Sequence, residues 1–155
     1  MADYYIRKAR IQDVKGIHGL LMHSGGMGLL LPRSLSDLYN KLRDFYVLAD
    51  RDAETVHGCC ALALTWEDIA EVRSLAIAED LRGRGFGKRL VEACLSEAVT
   101  LGLFRVFTLT YQVDFFTRLD FAVVDKEVLP QKVWADCLNC PKFPGCDETA
   151  MLIEF

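Results

Sequence analysis

The sequence predicts a single α+β domain, and three observations carry that expectation. Apolar runs of strand length are interleaved with segments whose apolar residues recur at helical spacing. Three strand candidates in the first half are joined by polar turns, the pattern of antiparallel neighbours. A glycine-rich polar loop then feeds an amphipathic helix, after which strands and helices alternate to the end. The 155 residues suit one compact core, and no repeat, linker or low-complexity tract divides residues 1–155.

Tyr4 to Lys8 reads as the first strand. From Ile11 to Met22 the residues Ile11, Val14, Ile17, Leu20 and Leu21 recur at helical spacing, with Asp13 in the first turn. Ser24-Gly25-Gly26-Met27-Gly28 is expected to break that helix, and Leu29-Leu30-Leu31-Pro32 follows. A second helix starts after Ser34 or Ser36 and runs to about Leu42. Phe45 to Leu48, Val56 to Leu64 and Ile69 to Ile77 are the next strands. The polar turns from Asp50 to Glu54 and from Trp66 to Asp68 separate them. The loop from Ala78 to Gly87 leads into a helix with Leu90, Val91, Cys94, Leu95 and Ala98 on one face, ending near Gly102. Phe104 to Leu109 reads as a strand, Val113 to Leu119 as a helix, and Phe121 to Val124 and Ala150 to Phe155 as the last strands.

Composition narrows the function classes. With 52% hydrophobic and 26% charged residues the chain has the balance of a soluble globular protein. No apolar run approaches the roughly 20 residues of a membrane span, and Met1-Ala2-Asp3-Tyr4 lacks the layout of a secretory signal. The cytoplasm is the expected location. A formal charge of −4 argues against nucleic acid as a partner, while leaving room for a local basic pocket. A homodimer is compatible with the sequence. Cys137-x-x-Cys140 with Cys146 supplies three of the four ligands that tetrahedral zinc takes. No fourth ligand stands at a readable spacing, so no metal is assigned. Thiols packed in a loop kinked by Pro141 and Pro144 are preferred to zinc.

The sharpest feature is Arg82-Gly83-Arg84-Gly85-Phe86-Gly87-Lys88, between a strand and a helix. A helix N-terminus offers unpaired N–H groups and the positive end of the dipole. Glycines let a phosphate approach that backbone, and Arg82, Arg84 and Lys88 add charge. A dinucleotide fingerprint would need glycine where Lys88 stands, and a Walker A loop would need glycine at Arg82 and a hydroxyl residue at Arg89. Both fail.

The spacing of Arg82, Gly85 and Gly87 after Ser74-Leu75-Ala76-Ile77, with Phe115 to Phe121 further on, resembles the acetyl-CoA loop of the GNAT superfamily of N-acetyltransferases. The resemblance implies a mixed, mostly antiparallel sheet splayed between its fourth and fifth strands, with the thioester in the gap. It implies that residues 82–88 hold the CoA pyrophosphate and that the backbone of Leu75, Ala76 and Ile77 pairs with the pantetheine arm. Read as a whole, with Ile6 to Ala9, Asp13, Gly28 to Ser34, Leu109-Thr110 and Phe121, the chain is most similar to the acetyltransferase domain of bacterial N-acetylglutamate synthase, in a short single-domain form. The implied activity is acetylation of the α-amine of L-glutamate, which opens arginine biosynthesis.

Residue roles follow from that chemistry. The substrate ammonium must lose a proton, and Glu71 on the fourth strand is the candidate general base, acting through a water. The backbone N–H groups of Leu75 or Ile77 are placed by family geometry to polarise the thioester carbonyl. Phe115-Phe116 stands where the family has a tyrosine, so Tyr111 is the candidate acid for the leaving thiolate. Arg33 and Arg73, with Gln112 and Lys132, are the candidate grips on the substrate's carboxylates, because guanidinium pairs with carboxylate through two parallel bonds. Acetylation of another amine, a peptide N-terminus or a small amine, is the rival enzyme reading. A non-catalytic acyl-CoA-binding regulator is the rival outside enzymes.

Overall fold

Alternation along the strands sets the two faces of one sheet. The computed structural model describes residues 3–26, 34–130 and 148–155. Its strands are β1 (Tyr4–Lys8), β2 (Phe45–Asp50), β3 (Val56–Trp66), β4 (Ile69–Ile77), β5 (Arg105–Thr110), β6 (Ala122–Val123) and β7 (Thr149–Glu154). The helices are α1 (Val14–Gly26), α2 (Leu35–Asn40), α3 (Phe86–Thr100) and α4 (Val113–Thr117). The strands lie in the order β1-β2-β3-β4-β5-β7-β6. Among the described residues only β4 and β5 pair in parallel; the other neighbours are antiparallel.

The parallel ladder is short. It holds at Ala70 with Val106 and at Glu71 with Phe107, while β5 pairs with β7 from Arg105–Glu154 through Thr110–Thr149. Beyond Glu71 the fourth and fifth strands therefore part, as the mixed, splayed sheet requires. The Thr108 hydroxyl donates to the Val72 carbonyl at 2.9 Å just past the last paired residues.

Helices cover both faces. α3 buries Leu90, Val91, Cys94 and Ala98 against Leu48, Cys60, Leu62, Ala70, Val72 and Val106. On the other face Val14, Ile17 and Leu21 of α1 and Leu38 of α2 pack on Phe45, Val47, Cys59 and Ala61. Each such buried leucine or valine contributes about 1.5–3 kcal/mol relative to exposure, so these stripes fix how the helices sit.

An irregularity in β4 decides what faces the gap. Ala61 pairs with Arg73 but Cys59 pairs with Ala76, so β4 holds one residue more than β3 between them. Ser74 takes up the extra residue with a left-handed φ of 58°. Before the bulge Ala70 and Val72 face α3; after it Leu75 and Ile77 do, and Ala76 turns to the α1 side.

Several boundaries differ from the sequence reading. α1 continues through Ser24 and Gly25 to Gly26, because glycine in a helix costs only about 1 kcal/mol and does not forbid it. Ile11 falls in a short 3-10 turn ahead of α1 and is exposed rather than buried. Ser34, not Ser36, caps α2, accepting from the Asp37 N–H at 3.0 Å, and the helix ends at Asn40. β2 runs on to Asp50, where pairing with Tyr4 and Tyr5 of β1 extends it. β3 runs on to Trp66 and β5 to Thr110, while α4 stops at Thr117. No helix among the described residues is long and apolar enough to cross a membrane.

Candidate active site

The glycine loop stands at one side of the gap. It is tied at its start by the Ala78 N–H donating to the His57 carbonyl at 2.8 Å, and Leu81 is buried beneath it. The Arg82 Nε donates to the Ile77 carbonyl at 3.1 Å, which folds the loop back on the end of β4. Gly83 and Gly85 hold φ values of 77° and 85°, a conformation that suits glycine. Gly85 is also the N-cap of α3 and has no side chain to place over its first N–H groups. A Cβ at either glycine would project into open space. The loop thus keeps a bare backbone cradle at a helix N-terminus, which fits a pyrophosphate.

A cleft of about 910 Å³ opens in front of that cradle. One wall is Leu75, Ala76 and Ile77 of β4; the floor is Arg82, Gly83, Gly85, Phe86, Gly87 and Lys88. Gln112, Phe115, Arg118 and Leu119 form the opposite wall, the Phe115 ring lying 3.4 Å from where a Cβ on Gly87 would stand. Arg82, Lys88 and Arg118 make the cleft cationic within an acidic chain. Arg84 is placed elsewhere: its guanidinium lies 5.8 Å from the Tyr4 ring centre and 5.4 Å from that of Phe86. Arg118 was not nominated from sequence, although it lies inside the segment Phe115 to Phe121 that carries the family resemblance.

A second cavity, of about 80 Å³, occupies the gap itself. Val72, Arg73, Ser74 and Leu75 line it from β4; Thr108 through Gln112 line it from the end of β5, with Phe116 and Glu148. Leu75 and Gln112 belong to both cavities, so the two meet there. The Gln112 N–H donates to the Thr110 hydroxyl oxygen at 2.8 Å, turning the chain from β5 into α4. The Arg73 guanidinium is 3.5 Å from the Glu71 carboxylate, and both side chains are largely buried. Alternation from Glu71 to Arg73 puts them on one face of β4, opposite Val72. Tyr111 is 39% exposed at the rim of this cavity.

The structure thus brings Arg73, Tyr111 and Gln112 to one cavity and sets Glu71 beside Arg73 at the last paired position of the strands. Arg33, Lys132 and the cysteines Cys137, Cys140 and Cys146 lie outside the described residues. Among the described residues no three His, Cys, Asp or Glu side chains group so as to hold a metal ion. Glu148 was missed from sequence. It follows another acidic residue, Asp147, just ahead of the last strand, and no local motif marks it; the pairing of β7 with β5 brings it to the gap.

A parallel pair that parts over a cationic glycine cradle is the arrangement that the family resemblance implies for a transferase taking its group from a CoA thioester. Comparison with known proteins gives that class its family. Residues 27–121 match the acetyltransferase (GNAT) family. The chain is 40% identical over 151 residues to an uncharacterised N-acetyltransferase of Chlorobaculum tepidum, covering 97% of this chain and 96% of that one. It is 36% identical over 121 residues to an amino-acid acetyltransferase of Mycobacterium tuberculosis, covering 77% of this chain and 69% of the relative. N-acetylglutamate synthase from Neisseria gonorrhoeae, complexed with coenzyme A and N-acetyl-glutamate, superposes with a TM-score of 0.88 at 26% identity. That match covers 99% of this chain and 35% of the longer enzyme. The chain belongs to the acetyltransferase (GNAT) family and is an acetyl-CoA-dependent N-acetyltransferase.

Proposed function

We propose that the enzyme acetylates the α-amine of L-glutamate, the first step of arginine biosynthesis. The observation that carries this reading is the junction of two cavities at Leu75 and Gln112, a cationic cleft on one side and a small chamber holding Arg73 on the other. Relatives named amino-acid acetyltransferase support the amino-acid class, and the Neisseria gonorrhoeae enzyme solved with N-acetyl-glutamate supports glutamate within it.

Acetyl-CoA supplies an activated acetyl thioester. Arg82, Gly83, Gly85, Phe86, Gly87 and Lys88 hold its pyrophosphate through bare N–H groups and positive charge, with Arg84 adding charge from outside the cleft. The backbone of Leu75, Ala76 and Ile77 pairs with the pantetheine arm. The bulge at Ser74 turns Leu75 and Ile77 so that one of their N–H groups polarises the carbonyl oxygen. Holding both reactants at the cavity junction makes the attack effectively unimolecular.

Arg73 grips a carboxylate of the acceptor, held in place by Glu71, and Gln112 contributes an amide. Arg33 and Lys132 are the further candidates for the second carboxylate. Glu71 takes the ammonium proton through a water, and Tyr111 returns a proton to the leaving thiolate. Incubation with acetyl-CoA and L-glutamate, read by mass spectrometry with fragmentation, tests the reading: the expected product is one acetyl heavier with the acetyl group on the α-nitrogen. A product only from another amine would keep the enzyme class and overturn the substrate.

A further inference from the structure

We propose that Glu148 holds the acceptor's ammonium in the small cavity, opposite the carboxylate grip of Arg73. The inference deepens the amino-acid reading above and rests on it. An α-amino acid carries one positive and one negative group on the same carbon. The small cavity offers one group of each complementary sign, Arg73 from β4 and Glu148 from the head of β7, among the neutral side chains of Thr108, Thr110, Tyr111 and Gln112.

The two charges come from different strands. Arg73 stands just past the last parallel pair of β4 with β5, and Glu148 just before the antiparallel pair Thr110–Thr149. They therefore approach the gap from its two sides. A zwitterion spanning them has its α-carbon over the gap, beside Leu75, where the small cavity meets the large cleft. Glu71 serves this geometry differently: its carboxylate is 3.5 Å from Arg73 and it lines neither cavity, so it positions Arg73 and takes the ammonium proton only by way of a water. Glu148 lines the chamber that the amine must enter. An amino acid presents a charge to each member of the pair and a simple amine presents one only, so the pair selects amino acids over simple amines.

Glu148→Gln and Glu148→Asp test this in the full chain, with glutarate as a probe that keeps glutamate's carboxylates and lacks its ammonium. Glu148→Gln is expected to raise KM for L-glutamate about tenfold, the loss of one charge-assisted hydrogen bond. Glu148→Asp is expected to recover part of that loss. CoA affinity by calorimetry should stay as in the unaltered enzyme, and inhibition by glutarate should be equal or stronger. Equal weakening of glutamate and glutarate would overturn the proposal, because a residue that merely shapes the cavity affects both. An unchanged KM for glutamate would overturn it as well. Failure of the substrate reading looks different: the unaltered enzyme then acetylates another amino acid, and the same comparison is made with that substrate and its deaminated analogue.

Discussion

The Cys59 thiol donates to the Ser74 carbonyl oxygen at 3.4 Å, across the place where β4 holds its extra residue. On the opposite face of β3 the Cys60 thiol reaches the Arg73 carbonyl at 3.9 Å. Both cysteines are fully buried. Two adjacent thiols thus meet the carbonyls that flank the bulge, and the bulge in turn aims Leu75 and Ile77 into the cleft. Cys59→Ala removes a donor and leaves a small void, and is expected to lower stability by about 1–2 kcal/mol. Chemical denaturation should show the loss, together with a higher KM for acetyl-CoA; an unaltered KM would separate the thiol from the cleft.

Gly85→Ala puts a Cβ on a residue held at φ 85°. Open space surrounds that position, so the penalty comes from the backbone alone. About 1 kcal/mol of destabilisation is expected, or a loop that relaxes and binds CoA several-fold more weakly. Calorimetry with CoA and a thermal melt on the same variant read the two outcomes, and neither changing would contradict the cradle.

The Arg7 guanidinium makes a two-pronged contact with Asp13, at 2.7 and 3.1 Å, and tethers Glu54 at 3.0 Å. This joins β1 to the entry of α1 and to the turn between β2 and β3. Burial pushes the Asp13 carboxyl up, but hydrogen bonds from Arg7 and the Arg10 N–H outweigh it and hold the carboxyl below its ordinary value. A carboxyl depressed by folding stabilises fully above its unfolded pKa of about 4 and loses that contribution as pH falls through the native value. Asp13→Asn removes one of the two carboxylates on the guanidinium, leaving Glu54, and is expected to cost about 1–3 kcal/mol at neutral pH. It should also flatten the acid limb of stability below about pH 4, which denaturation across pH measures.

Local features were the legible ones. The glycine loop and α3 could be placed because glycine spacing and a 3.6-residue period are written in consecutive residues. The bulge was not, because a serine with positive φ has no sequence signature; tertiary packing and the two thiols hold it. Nor could the local pattern show that Glu148 and Arg118 share a site with Arg73 and Lys88. That proximity is made by β7 lying beside β5 and by α4 folding over Gly87, contacts between distant parts of the chain. The end of α1 was misread because three small residues look like a break although helix geometry tolerates them.

Tyr111 lies at the rim of the small cavity, two residues ahead of α4. In the proposed mechanism it donates to the leaving thiolate, a role in the chemical step. Tyr111→Phe is expected to lower kcat by about 10²-fold with little change in either KM. Steady-state kinetics with both substrates varied gives the split; an unchanged kcat would pass the proton's delivery to solvent.

The most direct test of the central claim is thiol release from acetyl-CoA, followed with L-glutamate against D-glutamate and a panel of other amines. Acetylation of the glutamate α-amine predicts release that depends on L-glutamate, saturates with it and is lost with the D enantiomer. Release driven by a different amine, with L-glutamate inert, would contradict it.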